Sequence, residues 1–254
     1  MIALLEPLFQ GEWAPLGETL ACSPRPPEGA VKVSDLLTQP DLLAEVLARH
    51  ARHWRSTEMR AVASAWSLSY LWALLPPVVA AASVLQHGFP VDPAQMWLSL
   101  DENGEPLRFH ILDEGQPLSG LGTAARFGPL VWTHLLPLVS ALSRHARVPS
   151  KILWGNAARH IESVLDEALT LTAQAPHIAE DHARLLHGPS WPGHVRNPLQ
   201  GVQRQVIHIE NGQPERLTLH QQCCLYYLLP DEGYCGACPL APQYRKLKDA
   251  APSV

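Results

Sequence analysis

Residues 58–75 read EMRAVASAWSLSYLWALL, and this stretch decides the architecture. Met59, Val62, Trp66, Tyr70 and Leu74 recur every three or four residues, the spacing that lines one side of an α-helix. Pro76-Pro77 lack backbone donors and are expected to stop or kink this helix, with a second helical piece running to Gln86 before Gly88. The wider apolar run from Ala61 to Leu85 is broken by Ser64, Ser67, Ser69 and the double proline. A membrane span needs about 20 mostly apolar residues, so a buried core helix is the expectation.

Helical periodicity extends outward in both directions. Upstream, Ser34 or Asp35 can cap a helix carrying Leu36, Leu37, Leu42, Leu43, Val46 and Leu47 on one face and ending near His53. Downstream it returns from Leu130 to Ala146 despite Pro137, from Ser150 to Thr172, and more briefly from Ile178 to Leu186. Between these lies a hairpin signature: Met96–Leu100 and Leu107–Leu112 alternate around Asn103-Gly104. A second alternation, Val202 to Ile209 and Leu217 to Leu219 around Asn211-Gly212, runs straight into Cys223. Pro7, Pro15, Pro24, Pro26 and Pro27 mark the first 30 residues as an irregular arm laid over the surface. The expected fold is α+β: an arm (1–30), a mainly helical body (31–195), and a hairpin with a small cysteine-bearing module (196–254).

Composition narrows the function. An apolar fraction of 46% with 17% charged residues belongs to a folded globular chain. With 19 basic residues against 24 acidic and a net charge of -5, a phosphate-neutralising nucleic-acid binder is excluded. Met1 to Leu8 has no sustained apolar run after it and does not read as a signal peptide, so the expectation is a cytoplasmic chain with at most peripheral membrane association.

Four of the five cysteines fall within sixteen residues as C-C-x10-C-x2-C: Cys223, Cys224, Cys235 and Cys238. In a reducing compartment such clustering points to metal or redox chemistry. Zinc needs a second spaced pair, and the adjacent Cys223-Cys224 has no spacer. A thioredoxin-like disulfide needs a strand-then-helix context that Cys235-Gly-Ala-Cys238 lacks. A [2Fe-2S] cluster takes four thiolates, two on each iron, and fits better than either, though all three chemistries stay open on spacing alone. Cys22 lies far away in the arm and reads as a small residue.

This spacing near the C-terminus, with Tyr227 and Pro230 between the pairs and Pro239 after the last cysteine, resembles the FhuF family of siderophore-iron reductases. Leu153-Trp154-Gly155-Asn156-Ala157-Ala158 resembles a Trp-Gly-Asn segment of the same family and, more distantly, part of siderophore synthetases. The resemblance implies that the four cysteines bind the cluster as its metal ligands and that the protein reduces Fe(III) held by a hydroxamate-type siderophore. It implies no catalytic side chain beyond the cluster. Around the first pair, where such proteins carry basic residues, this chain has Gln221, Gln222, Leu225 and Tyr226, which leaves the choice of siderophore open. A one-electron cluster needs an external donor; no G-x-G-x-x-G follows a strand, so a ferredoxin or flavoprotein partner is expected.

Substrate-docking candidates are Trp191, His194 and Arg196, in the Gly/Pro-rich loop before the second hairpin, and Asn156, which can equally organise a turn. Tyr226, Tyr227 and Tyr234 are candidates for shielding the cluster from water. His50, His53, His134 and His145 fall on helices without a ligand pattern. A zinc-stabilised binding module and an iron-sulfur redox sensor are the competing functions.

Overall fold

Helix α4, Met59–Val84, runs through the centre of the molecule and is buried on nearly every side. The computed structural model describes all residues except 202, 211–212, 246 and 248–254. The turn expected at Asn211-Gly212 and the start of its first strand at Val202 therefore lie outside the described residues. In chain order the elements are α1 (Ala14–Gly17), β1 (Leu20–Cys22), β2 (Val31–Lys32), α2 (Val33–Thr38), α3 (Pro40–His53), α4, β3 (His87–Gly88), β4 (Met96–Leu100) and β5 (Pro106–Ile111). Then follow β6 (Gln116–Pro117), α5 (Thr123–Gly128), a π-helical turn (Pro129–Leu135), α6 (Leu136–Ala146), α7 (Ser150–Leu171), α8 (Pro176–His182), β7 (Gln203–Glu210) and β8 (Gln213–His220). The fold is α+β.

Of the stop or kink expected at Pro76-Pro77, the stop does not occur: α4 runs through both prolines. Each proline removes one ladder donor, a cost of about 3 kcal/mol in an isolated helix. Here α7 packs along one side and β5 along another, and Trp66, Tyr70, Leu71, Leu74 and Leu75 are fully enclosed. Each such side chain contributes about 1.5–3 kcal/mol on burial, which outweighs the broken ladder. α4 is also long and apolar enough to cross a bilayer, yet 78% of its most apolar window is buried within this fold.

Pro40 has the opposite effect. The single helix expected from Ser34 to His53 is two, because Gln39 before Pro40 adopts an extended backbone, φ -99° and ψ 103°. Lys32 occupies the N-cap position of α2 in place of Ser34 or Asp35.

The first 30 residues are not a surface arm. Leu20–Cys22 pairs in parallel with Phe109–Ile111, making β1 an edge of a four-stranded sheet ordered β1-β5-β4-β2. Ile2, Leu5, Phe9 and Leu20 are buried in the main core. The β4–β5 hairpin forms the middle of that sheet, and its turn is pinned to two helices. Gly104 sits at φ +78°, its carbonyl accepts from Trp66 Nε1 at 2.9 Å, and a Cβ there would come within 2.8 Å of the Val46 carbonyl oxygen in α3.

Where the π-helical turn meets α4, His134 is fully buried. Nδ1 lies 2.7 Å from the Val91 carbonyl oxygen, which can only accept, so the proton sits on Nδ1 and Nε2 accepts from the Tyr70 hydroxyl at 2.7 Å. Burial lowers the His134 pKa from 6.5 to about 4, against the opposing pull of the Val91 carbonyl. The unfolded chain therefore takes up this proton near pH 6.5 and the folded chain only near pH 4. The stability this histidine contributes, about 3 kcal/mol, is complete above pH 6.5 and is lost as pH falls toward 4. Urea midpoints followed by tryptophan fluorescence should fall between pH 7.5 and 5. His134→Asn should fall less steeply, and an unchanged slope in that variant would rule out the assignment.

Candidate iron-sulfur centre and substrate cleft

Antiparallel pairing of β7 and β8 runs in unbroken register from Gln203↔His220 to Glu210↔Gln213, which delivers the chain to Gln221 at a fixed place. His220 N–H then donates to the Ala237 carbonyl at 2.9 Å, so the strand end and the last cysteine turn close on each other. Leu225 takes the left-handed conformation, φ 64°, turning the chain directly after the adjacent cysteines. Cys238 N–H donates to the Cys235 carbonyl at 3.0 Å and tightens the second pair.

The consequence is a contiguous run of sulfurs. Cys223 Sγ lies 3.7 Å from Cys238 Sγ, and Cys224 accepts sulfhydryl hydrogen bonds from Cys223 and Cys235. The adjacent pair thus divides its contacts, one member reaching each cysteine of the second pair. Cys223, Cys224 and Cys238 are buried and Cys235 is exposed. Cys22, in β1, is outside the group.

Hydrogen bonds from Cys223 and then Cys235 hold the Cys224 thiol well below its ordinary value, while the bond to Cys224 raises Cys223 and Cys235. Thiolates in contact repel one another, and a bound cation is what lets all four ionise together. Backbone donors already point at the sulfurs, from Leu225 N to Cys223 Sγ at 3.3 Å and from Tyr226 N to Cys224 Sγ. An all-sulfur donor set with backbone N–H donors fits an iron-sulfur cluster.

Two helices of the body hold this segment. Ser64 Oγ in α4 donates to the Cys224 carbonyl at 2.6 Å. Asn156 Nδ2 in α7 donates to Ser64 Oγ at 3.1 Å and Ser67 Oγ at 3.0 Å. Asn156 is fully enclosed and touches no cleft, so its position is that of a core bridge and not of a docking residue. Gly155 allows the close approach: a Cβ there would sit 2.9 Å from Gln222 Cβ. Arg159, one turn on, donates to the Gln222 carbonyl at 2.9 Å.

The tyrosines divide by contact. Tyr227 and Tyr234 stack at 4.6 Å, and Tyr227 packs against the buried group of Cys223, Cys238 and Ala241. Tyr226 instead meets the edge of Trp54 at 5.4 Å, tying the segment to the end of α3.

Against the other face of Gln221 and Gln222 opens a cleft of about 620 Å³. The first turns of α7 supply Ser150, Lys151, Trp154 and Gly155; the loop supplies His194 to Gly201; Trp132 and Leu136 close it. His194 stacks flat on Trp132, centroids 3.5 Å apart at 10°, and Trp191 is buried behind, edge-on to Trp132 at 5.9 Å. Asn197 fixes the loop by donating to the Leu185 and Gly188 carbonyls. Of the four docking candidates, His194 and Arg196 line the cleft, Trp191 supports it and Asn156 lies beneath it. Trp132, Lys151 and Trp154 were not anticipated; Trp154 lay within the noted Trp-Gly-Asn segment, whereas nothing local distinguishes Trp132 or Lys151.

A family model described as "Ferric iron reductase FhuF-like transporter" matches residues 64–213, and one described as "FhuF 2Fe-2S C-terminal domain" matches residues 222–240. A "Ferric siderophore reductase" of Escherichia coli (strain K12) is 25% identical over 210 residues, covering 80% of this chain and 77% of that protein. Among solved structures, the aerobactin synthetases IucA and IucC from Klebsiella pneumoniae align with TM-scores of 0.48 and 0.47 at 15% and 14% identity. They match 67% and 69% of this chain, which spans only 37% and 36% of theirs.

Proposed function

We infer from the FhuF-like ferric iron reductase family, to which this chain belongs, that the cleft beside Gln221 and Gln222 seats a ferric siderophore for reduction at the neighbouring cysteines. The chain is a ferric-siderophore reductase with a [2Fe-2S] cluster. Four further readings are ours: that Cys223, Cys224, Cys235 and Cys238 are the cluster ligands, that residues 196–254 act as the cluster module, that the siderophore is of hydroxamate type, and that Fe(II) is released in the cytoplasm. The observation that carries the seat is one shared wall: Gln222 lines the cleft and is bonded to Cys223.

When bound, the cluster supplies one reversible electron. The chain's own residues then have three tasks. Trp132, Trp154 and the His194 ring offer flat surfaces against the organic shell of the complex. Gly155 and Arg159 hold the Gln222 backbone against α7, keeping the separation between cleft and cysteines short. The Tyr227–Tyr234 stack covers the buried pair Cys223 and Cys238 from water. Hydroxamate oxygens grip Fe(III) as a hard cation and Fe(II) far less, so one electron loosens the metal without altering the ligand.

Purification under anaerobic conditions, with visible and EPR spectra and an Fe(II) chelator to follow iron release from several ferric hydroxamates, tests this reading. A reducible cluster whose reoxidation by ferric siderophore keeps pace with Fe(II) appearance supports it. A colourless zinc protein, or a cluster protein that does not hasten release, would sink it. A ferredoxin or flavoprotein is the donor class to supply in the same assay.

A further inference from the structure

We propose that the cleft selects ferric complexes of net negative charge, namely hydroxamate siderophores that carry free carboxylates, over neutral trihydroxamate complexes. This rests on the reading that the cleft is the siderophore seat. The chain as a whole is acidic, with 24 Asp and Glu against 19 Lys and Arg. The cleft reverses that balance: its lining includes Lys151, Arg196 and His194, and among the described residues no Asp or Glu lines it. Neither Lys151 nor Arg196 is paired with a carboxylate among the described residues, so both charges face the cleft uncompensated.

A helix end and a further guanidinium add to the same sign. The 22-residue helix α7 begins at the cleft with Ser150 and Lys151, and its N-cap, Pro149, offers no side chain to the first-turn N–H groups. The positive end of that helix is open to an anion. Arg159 lies behind the wall, its guanidinium donating to the Gln222 carbonyl and to the Gly155 carbonyl. It holds the backbone of two cleft-lining residues, and its charge acts on the Cys224 sulfur.

That placement meets a specific difficulty. A cluster held by four thiolates is negatively charged, and an anionic substrate approaching it is repelled. A neutral complex meets no such barrier and needs no cations. Lys151 and Arg196 in the cleft, with Arg159 acting on the Cys224 sulfur, offset the repulsion an anionic complex alone would feel. The basic residues absent around Cys223-Cys224 in sequence are thus supplied by α7 and the loop.

Gallium(III) complexes, which bind as the ferric ones do but accept no electron, separate binding from reduction. Calorimetric titration of the cluster-loaded protein would compare the gallium complex of a citrate-centred dihydroxamate, which is anionic, with that of a neutral cyclic trihydroxamate. The expectation at low salt is about ten-fold tighter binding of the anionic complex. That preference should vanish at about 0.5 M salt, and in the double variant Lys151→Gln/Arg196→Gln, while the neutral complex changes little. Lys151→Glu/Arg196→Glu should invert the preference. Both positions are exposed, so the variants retain the fold. Equal affinities, or a preference that survives the Gln substitutions, would overturn charge selection and leave the seat standing. Failure of both complexes to bind would remove the seat as well.

Discussion

Replacing Cys224 with alanine is expected to leave a protein without the visible absorption of a [2Fe-2S] cluster and with siderophore-iron release lowered at least about 100-fold. Cys224 is the sharpest choice of the four because its sulfur contacts both Cys223 and Cys235, receives the Tyr226 N–H, and belongs to a residue whose carbonyl is held by Ser64. Cys224→Ser is the informative companion. A serine oxygen can replace sulfur on iron but is harder, so a shifted spectrum and altered potential in that variant, against total loss in the alanine one, would identify the position as a ligand. Cys22→Ala should leave iron content and spectrum unchanged, since Cys22 lies in β1 apart from the four. Iron content equal to the parent in Cys224→Ala would remove this cysteine from the ligand set.

The second large effect is expected at Asn156→Leu, a residue that touches neither sulfur nor cleft. Its amide is the donor shared by Ser64 and Ser67, and Ser64 in turn donates to the Cys224 carbonyl. Leucine fills a similar volume but leaves two buried hydroxyls short of a donor, at a cost of about 2–3 kcal/mol. Thermal unfolding should shift down and the cluster should bleach faster on dilution into oxygenated buffer. The affinity of the surviving cluster-loaded protein for the siderophore should stay within about two-fold, because the lost contact orients and does not bind. A large fall in affinity with unchanged stability would return Asn156 to the docking role that sequence suggested.

Legibility followed the range of the interactions. α4, α7 and the β4–β5 hairpin were readable because periodicity and an Asn-Gly turn act within a few residues. The cysteine group was readable because ligand chemistry restricts residue type and spacing. What was not readable depends on distant partners. Nothing in Leu20–Cys22 announces a strand until Phe109–Ile111 lies beside it. Pro76-Pro77 reads equally as a stop or a kink unless the packing that carries the helix through is known. The cleft was half visible: loop composition pointed to His194 and Arg196, but Trp132 and Lys151 belong to helices whose sequence gives no sign that they face the loop. The Pro40 break, by contrast, was available to a strictly local reading of the residue before proline.

The Ser64 hydroxyl and the Cys224 carbonyl are 160 positions apart along the chain, and the exposed Arg55–Asp231 pair on the same segment spans 176. Closing loops of that length costs conformational entropy, which the packed helices between them repay. The cysteine segment is thus held in place by the helical body, and loading of the cluster is expected to require that body to be folded. The visible absorption of the loaded protein is then expected to report that α4 and the cysteine segment have come together, and its return can serve as a refolding assay.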